Sequence, residues 1–330
     1  MLLSTVRRAA ISSSTSHTIG TYQVFDRNAK RLQKDRAALR ESSRTVDYVR
    51  DEVADRMMER FMDIKRTFNT VLDLGSGSGH FTKLLELGKT QKSIMVDNSK
   101  NSLFRDPTSD FEVEVERIHG DEERLLEIIK PNSQEAIVSC LSLHWVNDLP
   151  GTLIQIREAL QPDGLFLGAM FGGDTLFELR TSLQLAEQER EGGIAPHVSP
   201  MTETRDISNL MGRAGFSLLT VDVDEVKVAY PSMWDLMDDL GAMGEGNAIL
   251  GPRRALRRDT IAAASAIYSA LHGLDDGTVP ATFQIIYMAS SLLVCRINEM
   301  NILQIGWKPA PNQPQPLQRG TGQVPLGDVL

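Results

Sequence analysis

A glycine-rich segment is the clearest chemical feature of the sequence. Residues 71–79 read Val-Leu-Asp-Leu-Gly-Ser-Gly-Ser-Gly, so that an apolar run leads into alternating glycines. Glycine permits tight turns and close approach of a ligand to the backbone, and the amides at the start of a following helix favour anionic or polar ligand groups. A dinucleotide fingerprint needs its third glycine at the sixth position, which here is His80. The segment therefore predicts a cofactor loop that departs from the dinucleotide pattern.

Two acidic positions follow later apolar runs and are candidates for the same cofactor site. Asp97 ends the run at 93–96, and Asp121 follows the run at 113–119. Either acid could simply cap a helix, since both precede helical segments. Their order and spacing behind the glycine loop favour a shared cofactor site.

Catalytic candidates are less specific. His144 follows an apolar run, at the place where a base near neutral pH would meet a substrate, although packing against Trp145 is an equal alternative. Asp235, Asp238 and Asp239 form an acidic cluster that could pair with a guanidinium. Charge runs usually face water, so a solvated helix face is the other interpretation of this cluster.

Metal and disulfide chemistry have little support. His119 and Asp121 spell the His-x-acid half of an iron site, but two-residue patterns are common and Asp121 already has a role. Cys140 and Cys295 are the two cysteines of the sequence, too few for a disulfide framework or a zinc cage. We predict no metal site.

Apolar runs alternate with amphipathic helical patterns along most of the chain. Such alternation predicts a doubly wound α/β fold with a mostly parallel, seven-stranded sheet and right-handed crossovers. The strands are predicted at 70–74, 93–96, 113–119, 135–143, 165–171, 216–223 and 281–289, and helices at 26–62, 80–87, 152–160 and 202–214.

The predicted fold divides the chain into a helical segment at 26–69 and a main domain at 70–305. Two helical insertions, near 174–200 and 231–274, interrupt the alternation. We expect both to lie over the strand ends and shape the substrate side. The remainder, 306–330, is rich in Pro, Gln and Gly and predicts a disordered tail.

The first residues have the composition of an organelle presequence. Residues 1–25 contain Arg7, Arg8 and many Ser and Thr, and no acid occurs before Asp26. This composition predicts a mitochondrial targeting segment. A disordered terminus that merely lacks acids is the alternative.

Charge and hydropathy narrow the classes of partner. The net charge is −9 and the estimated pI is about 5.3, which argues against a general nucleic-acid-binding surface. No run of 18 apolar residues occurs, so the sequence predicts no transmembrane helix. Four arginines near the second insertion could face an acidic partner, a membrane leaflet or solvent. They are Arg253, Arg254, Arg257 and Arg258.

The glycine loop and its downstream acids resemble class I S-adenosylmethionine-dependent methyltransferases. The resemblance covers the loop, HGDEE, SCLSLHW and the QPDG turn, where Asp163 replaces a frequent glycine. It implies that S-adenosylmethionine is the cofactor, with the loop under the methionyl part, Asp97 at the ribose and Asp121 at the adenine. The implied cofactor residues are Asp73, Gly75, Ser76, Gly77, Gly79, Asp97, Asp121, Glu122 and Leu141.

Residues 24 to 300 resemble one branch of these proteins more closely. Segments such as FGGDTLFELR and PRRALRRDT are similar to mitochondrial complex I assembly factors, and SLHWVNDLPG is similar to the whole branch, which includes the bacterial malonyl-carrier-protein O-methyltransferase. The resemblance implies hydroxylation of an arginine in a complex I subunit. It also implies a place in the mitochondrial matrix or at the matrix face of the inner membrane, with other assembly factors as partners. Methyl transfer to a small acid or carrier-bound substrate, and a non-catalytic chaperone role, remain the alternatives.

Overall fold

An α/β sheet forms the centre of the computed structural model, which describes residues 23–217, 219–251, 256–290 and 306–307. The strands are β1 (Phe68–Leu74), β2 (Thr90–Asp97), β3 (Glu114–His119), β4 (Gln134–Cys140), β5 (Leu160–Phe171), β6 (Leu219–Tyr230), β7 (Val279–Ser290) and β8 (Gly306–Trp307). The helices are α1 (Arg27–Ala38), α2 (Tyr48–Met62), α3 (Lys100–Leu103), α4 (Leu125–Ile128), α5 (Leu149–Ala159), α6 (Phe177–Glu191), α7 (Thr204–Ala214), α8 (Met233–Met243) and α9 (Arg258–His272).

The strand order places the ends of β1 and β4 at a reversal of the sheet. The order is β3-β2-β1-β4-β5-β7-β6, and β1 pairs in parallel with both β2 and β4. β5 is parallel to β4, whereas β7 is antiparallel to both β5 and β6. Because the chain leaves β1 on one side and later returns on the other, a crevice opens beyond the carboxyl ends of β1 and β4. The predicted mostly parallel, seven-stranded sheet is confirmed, with β8 added beside β5.

Both faces of the sheet are buried, and side chains along each strand alternate between two cores. In β1, Val71 joins the core beneath α2, α6, α8 and α9, whereas Leu72 joins the core beneath α5 and α7. In β5, Leu167 joins the first of these cores and Phe166 joins the second. Burial on both faces explains why these strands appear in the sequence as continuous apolar runs.

The predicted helix at 26–62 is wrong as a single element, because α1 and α2 occupy that segment with a break between them. In the break, the Thr45 hydroxyl donates to the Ser42 carbonyl at 2.8 Å. Hydroxyl side chains that bond the backbone locally compete with helix formation. The break lets α2 pack on the sheet while α1 passes the strand ends, where its side chains reach Asp97 and Asp121.

The predicted helix at 80–87 is also wrong. A three-residue 3₁₀ turn that begins at Thr82 stands in its place. The Thr82 hydroxyl donates to Asp73 at 2.7 Å and lies 3.0 Å from the Ser93 hydroxyl, so the turn is tied to β1 and β2. Leu85 then adopts an extended backbone, which ends the turn.

Several strand boundaries differ from the prediction, among them those of β4, β5 and β6. β4 ends at Cys140, earlier than predicted, because Leu141 adopts a left-handed backbone with φ of 52°. β5 begins at Leu160 and contains the predicted turn as an irregularity at Asp163, where φ is 63°. β6 continues to Tyr230, beyond its predicted end.

The two predicted insertions form helices. The segment near 174–200 contains α6, and the segment near 231–274 contains α8 and α9. α6 packs against α9, and both contribute to the core on that face of the sheet. Within the described residues, no helix is long and apolar enough to cross a bilayer.

The ends of the chain are only partly described. Residues 306–307 pair with β5, so the predicted tail cannot begin at 306. Residues 1–22 of the predicted presequence and 308–330 of the predicted tail lie outside the described residues, as do Arg253 and Arg254.

Candidate functional site

A polar cleft opens beyond the carboxyl ends of β1 and β4. It contains about 510 Å³ of empty space. The loop after β1 and the turn after β4 form its floor, and α1, α2 and the end of α8 contribute walls. Among the predicted cofactor residues, those that line the cleft are Gly75, Ser76, Gly77 and Leu141.

The three glycines of the loop have different tasks, although all adopt left-handed backbone. Gly77, with φ of 55°, faces open space, because a Cβ built there would meet no atom within 4 Å. At Gly75 a Cβ would lie 2.2 Å from the Cβ of Ser142, and at Gly79 it would lie 2.7 Å from Met95. Gly77 is therefore the glycine that keeps the cleft open, whereas the other two permit close packing.

Asp73 lies beneath the loop and does not line the cleft. Its side chain is fully buried and accepts a hydrogen bond from the Thr82 hydroxyl at 2.7 Å. Burial raises the pKa of Asp73 to about 7, and the nearby Asp97 carboxylate adds to this rise. The structure thus places Asp73 as a support of the loop rather than as a direct cofactor contact.

Asp97 lies at the end of β2 with both carboxylate oxygens engaged. One oxygen accepts from the Gly77 amide at 2.9 Å and from the Lys34 ammonium at 3.2 Å, and the other accepts from the Ser99 amide at 2.7 Å. Asp97 is completely buried, and Lys34 comes from α1. A ribose could reach this carboxylate only after Lys34 has moved aside.

Asp121 and Glu122 are held by α1 in a similar way. The Arg27 guanidinium donates to Asp121 at 2.7 Å and also to Glu122. The Ser142 hydroxyl donates to Glu122 at 2.7 Å. Burial alone would raise the pKa of Glu122, but Arg27 and Lys34 lower it below its usual range, so that this buried carboxylate is ionised.

Three cations of α1 that were not among the predicted site residues contact the acids beside the cleft. Arg27, Lys30 and Lys34 recur at intervals of three and four, which places them on one face of a helix. Lys30 and Lys34 are 1% and 8% exposed, which is unusual for lysine. The spacing of these cations is visible in the sequence and predicts one helix face. It does not show that this face meets the acids at the strand ends, because that contact depends on the break after α1.

The cleft suits the methionyl end of the expected cofactor. The Ser76 hydroxyl is buried and has no hydrogen-bond partner among the described residues. In the described part of the chain, three cations line the same cleft, Lys34, Arg50 and Arg105, together with one acid, Asp47, which pairs with Arg105 at 2.6 Å. The excess of cations provides positive charge for a carboxylate. The residues of the loop and the cations beside it therefore fit S-adenosylmethionine.

An apolar cavity adjoins the cleft. It contains about 1030 Å³ of empty space and shares Met243 with the cleft as a lining residue. Trp145, beyond the end of β4, and Phe171, the last residue of β5, form one wall. Its other lining residues come mainly from α6, α8 and the segment 197–201, so both predicted insertions contribute to this cavity.

Glu245 is the carboxylate among the described residues that line the apolar cavity. It accepts from Arg50 at 2.6 Å and from the Trp145 indole N–H at 2.8 Å, and the Lys30 ammonium lies 4.0 Å away. Burial alone would raise the pKa of Glu245, but the cations of Lys30 and Arg50 lower it well below its usual range. The cavity is therefore lined by an ionised carboxylate.

His144 lies beside Glu245 in a 3₁₀ turn after β4. Its ring packs against Trp145 and Phe171, with centroid separations of 5.4 Å and 4.7 Å. Its Nε2 is 3.8 Å from Glu245, and neither ring nitrogen has a hydrogen-bond partner among the described residues. Burial lowers the pKa of His144, so the ring is neutral near pH 7 and can accept a proton or a hydrogen bond.

Comparison with known proteins places the chain in a family. The methyltransferase domain family matches residues 46–221. Arginine-hydroxylase NDUFAF5, mitochondrial, of Danio rerio is 47% identical over 306 residues, which cover 93% of this chain and 89% of the relative. The chain belongs to the NDUFAF5 arginine-hydroxylase family.

More distant proteins share the fold of this NDUFAF5-family chain. Malonyl-acyl-carrier-protein O-methyltransferase of a Methylovorus species is 30% identical over 246 residues, which cover 72% of this chain and 79% of the relative. A Bacillus halodurans protein described as a methyltransferase has a crystal structure that matches with a TM-score of 0.52 at 14% identity. This match covers 77% of the chain and 99% of that structure, and it supports the fold alone.

In this NDUFAF5-family chain, the predicted acidic cluster of α8 lies outside both cavities. Asp235 and Asp238 are exposed, and Asp235 accepts from Ser232 at the start of the helix. Asp239 accepts from the Tyr48 hydroxyl at 2.9 Å. The opposite face of α8 lines the apolar cavity, so the structure does not bring these three acids to the site.

The predicted histidine–acid pair is also separated. His119 Nε2 lies 3.0 Å from the Asn98 carbonyl, whereas Asp121 pairs with Arg27. Within the described part of this family member, no three His, Cys, Asp or Glu side chains form a group that could hold a metal ion.

Proposed function

We propose that this chain binds S-adenosylmethionine in the polar cleft and hydroxylates an arginine of a complex I subunit in the mitochondrial matrix. Support for the activity comes from near full-length relatives that are named as mitochondrial arginine hydroxylases. Support from the structure comes from an apolar cavity beside the cleft that is lined by the ionised Glu245. A docking position at the matrix face of the inner membrane, beside other assembly factors, agrees with this proposal.

The chain's own residues can hold the cofactor in two steps. Arg50 and Arg105 attract its carboxylate, and the free Ser76 hydroxyl donates a hydrogen bond. Gly77 leaves the space that the methionyl part needs. Asp97 then accepts from the ribose hydroxyls once Lys34 has withdrawn. When bound, the cofactor brings a sulfonium centre that carries a transferable methyl group.

The apolar cavity favours a cationic substrate side chain over an anionic one. Glu245 is the one carboxylate among its described lining residues, and no lysine or arginine lines it there. In a cavity of low dielectric, an ionised carboxylate attracts a guanidinium and repels another carboxylate. Arginine also carries an apolar stem that can pack against Leu183 and Met237. These features favour arginine over the carboxyl substrate of the Methylovorus relative.

Mass spectrometry of the complex I subunit tests the reaction. Mitochondria that contain this chain should yield a subunit peptide with one additional oxygen on an arginine, and mitochondria that lack the chain should not. A methyl group on a carboxyl instead would support the O-methyltransferase alternative, which the 30% identical relative favours. Normal assembly with no change in mass would support the chaperone alternative and contradict our proposal.

A further inference from the structure

Arg50 joins the two cavities. It extends from α2 and lines the polar cleft. Its guanidinium donates to the Met243 carbonyl at 2.8 Å and to the Glu245 carboxylate at 2.6 Å. Met243 lines both cavities, and Glu245 lines the apolar cavity. One guanidinium therefore connects a group on the cofactor side with a group on the substrate side.

Glu245 requires a cationic partner, whether that cation is Arg50 or a group of the substrate. Its side chain is 9% exposed, and a buried carboxylate without a cationic partner is costly. The second carboxylate oxygen keeps its bond from the Trp145 indole, so this acid stays oriented if Arg50 leaves. The Lys30 ammonium remains 4.0 Å from Glu245, but it already donates hydrogen bonds to the Gly244 and Gly246 carbonyls at 3.0 Å and 2.8 Å.

The His144 ring beside Glu245 has two nitrogens that make no hydrogen bond to the described residues. His144 is 5% exposed. It contacts Trp145, Phe171 and Glu245, which all line the apolar cavity. A neutral imidazole can accept from the N–H groups of a guanidinium, which has five donors to satisfy. The pocket thus offers the Glu245 carboxylate to an incoming guanidinium, with the fully buried His144 imidazole directly behind it.

We infer that Arg50 occupies the place of a substrate guanidinium on Glu245, and that cofactor binding vacates this place by drawing Arg50 to the cofactor carboxylate. The substrate arginine then pairs with Glu245, and its stem lies along the apolar wall. This inference rests on the proposed function, because it assumes an arginine substrate and a cofactor that carries a carboxylate. Its consequence is positive coupling between the two sites: each ligand strengthens the binding of the other by the same factor.

Calorimetric titration tests the coupling with the full chain. The probe is a blocked peptide of alanines around a single arginine, and its counterpart carries citrulline, in which a neutral urea group replaces the guanidinium. The arginine peptide should bind on the order of tenfold more tightly when S-adenosylmethionine saturates the cleft. The citrulline peptide should show no such gain. S-adenosylmethionine should bind more tightly by the same factor when the arginine peptide is present.

Two variants locate the exchange. Arg50→Met should remove the effect of S-adenosylmethionine on peptide binding, and Glu245→Gln should reduce arginine binding to the citrulline level. The matched control is Asp235→Asn with Asp238→Asn, which removes exposed carboxylates of the neighbouring α8 and should leave the coupling intact. Arginine binding that is lost in this control but retained in Glu245→Gln would overturn the inference.

The wild-type titrations decide the question even if a variant fails to fold. Arginine and citrulline peptides that respond equally to S-adenosylmethionine would overturn the inference, and so would an arginine peptide that binds equally well with and without it. A failure of S-adenosylmethionine to bind in the absence of peptide is a separate result, because it contradicts the proposed cofactor instead.

Discussion

The polar cleft and the apolar cavity lie side by side at one edge of the sheet, yet they are built in opposite ways. The floor of the cleft is largely backbone from a single loop after β1, with charged side chains around it. Side chains from α6, α8 and the segment 197–201, far apart in sequence, form most of the cavity. The proposed cofactor site could therefore be predicted from one continuous motif, whereas the proposed substrate cavity depends on how separate segments pack.

We expect the largest effect on ligand binding from a substitution at Gly77, which should impair the proposed cofactor cleft without altering the apolar cavity. Gly77→Val places a branched side chain in the open space that the loop keeps free. We expect the affinity for S-adenosylmethionine to fall by more than about 100-fold, measured by calorimetric titration. The control is Gly192→Val, at an exposed glycine with φ of 67° and open space around it. Equal loss in the control would attribute the effect to backbone strain rather than to the cleft.

A second glycine tests the substrate side. Gly241 lies in α8 and lines the apolar cavity, and a Cβ there would meet no atom within 4 Å. Gly241→Leu should fill the cavity while keeping the helix, since leucine favours helix more than glycine does. We expect binding of the complex I subunit to weaken on the order of tenfold or more, with S-adenosylmethionine affinity nearly unchanged.

The matched control for the cavity is another helical glycine. Gly212 of α7 is exposed, so Gly212→Leu makes the same change away from both cavities. Subunit capture from solution, with each variant immobilised, gives the comparison. If Gly241→Leu and Gly212→Leu bind the subunit equally well, the apolar cavity is not its site.

The same contrast explains which parts of the site could be predicted from the sequence. The loop around Gly77 was predictable because glycine spacing and the preceding strand are local features. Glu245 was not, since its partners Arg50 and Trp145 lie 195 and 100 residues away along the chain. The acids of α8 were chosen as guanidinium partners because they cluster in sequence, but the packing of α8 turns Asp235 and Asp238 to solvent.

The fold itself was more predictable than the site. Alternating apolar runs indicate the parallel sheet because burial on both faces leaves a continuous signal. The break between α1 and α2 was missed, since hydroxyl side chains around Thr45 give only a weak local signal. That single break decides that the cations of α1 meet the cofactor acids, so a small error in local structure concealed the main electrostatic feature of the cleft.

A substitution at Lys34 tests whether its ammonium competes with the cofactor ribose for Asp97. Lys34→Met removes the cation that holds the buried Asp97. We expect the free energy of unfolding without cofactor to fall by about 3 kcal/mol, because a buried charge loses its partner. S-adenosylmethionine should bind several-fold more tightly, because its ribose no longer competes with an ammonium group. The control is Arg31→Met, which breaks an exposed pair with Asp35 on the same helix. Weaker cofactor binding in Lys34→Met would contradict this competition.

We expect the smallest effect from Lys30, as a change in the pH dependence of stability. This lysine contacts Trp145, a lining residue of the apolar cavity. Its ammonium is 3.4 Å from the centroid of the Trp145 ring, and burial lowers its pKa to about 7 from the usual 10.5. Between these values the unfolded chain binds more protons than the folded protein, so the stability contributed by this group rises with pH. The rise amounts to at most about 1.4 kcal/mol for each pH unit.

Lys30→Met should remove this rise. Denaturant titrations from about pH 7 to about pH 9 would then show the wild type gaining stability relative to the variant as the pH increases. The exposed Lys100→Met provides the control, and its stability should run parallel to the wild type. If Lys30→Met also runs parallel, the lysine is protonated throughout this pH range and its surroundings do not have a low dielectric. A divergence instead locates the low dielectric beside Trp145, which is the property that makes the charge of Glu245 effective in selecting a guanidinium.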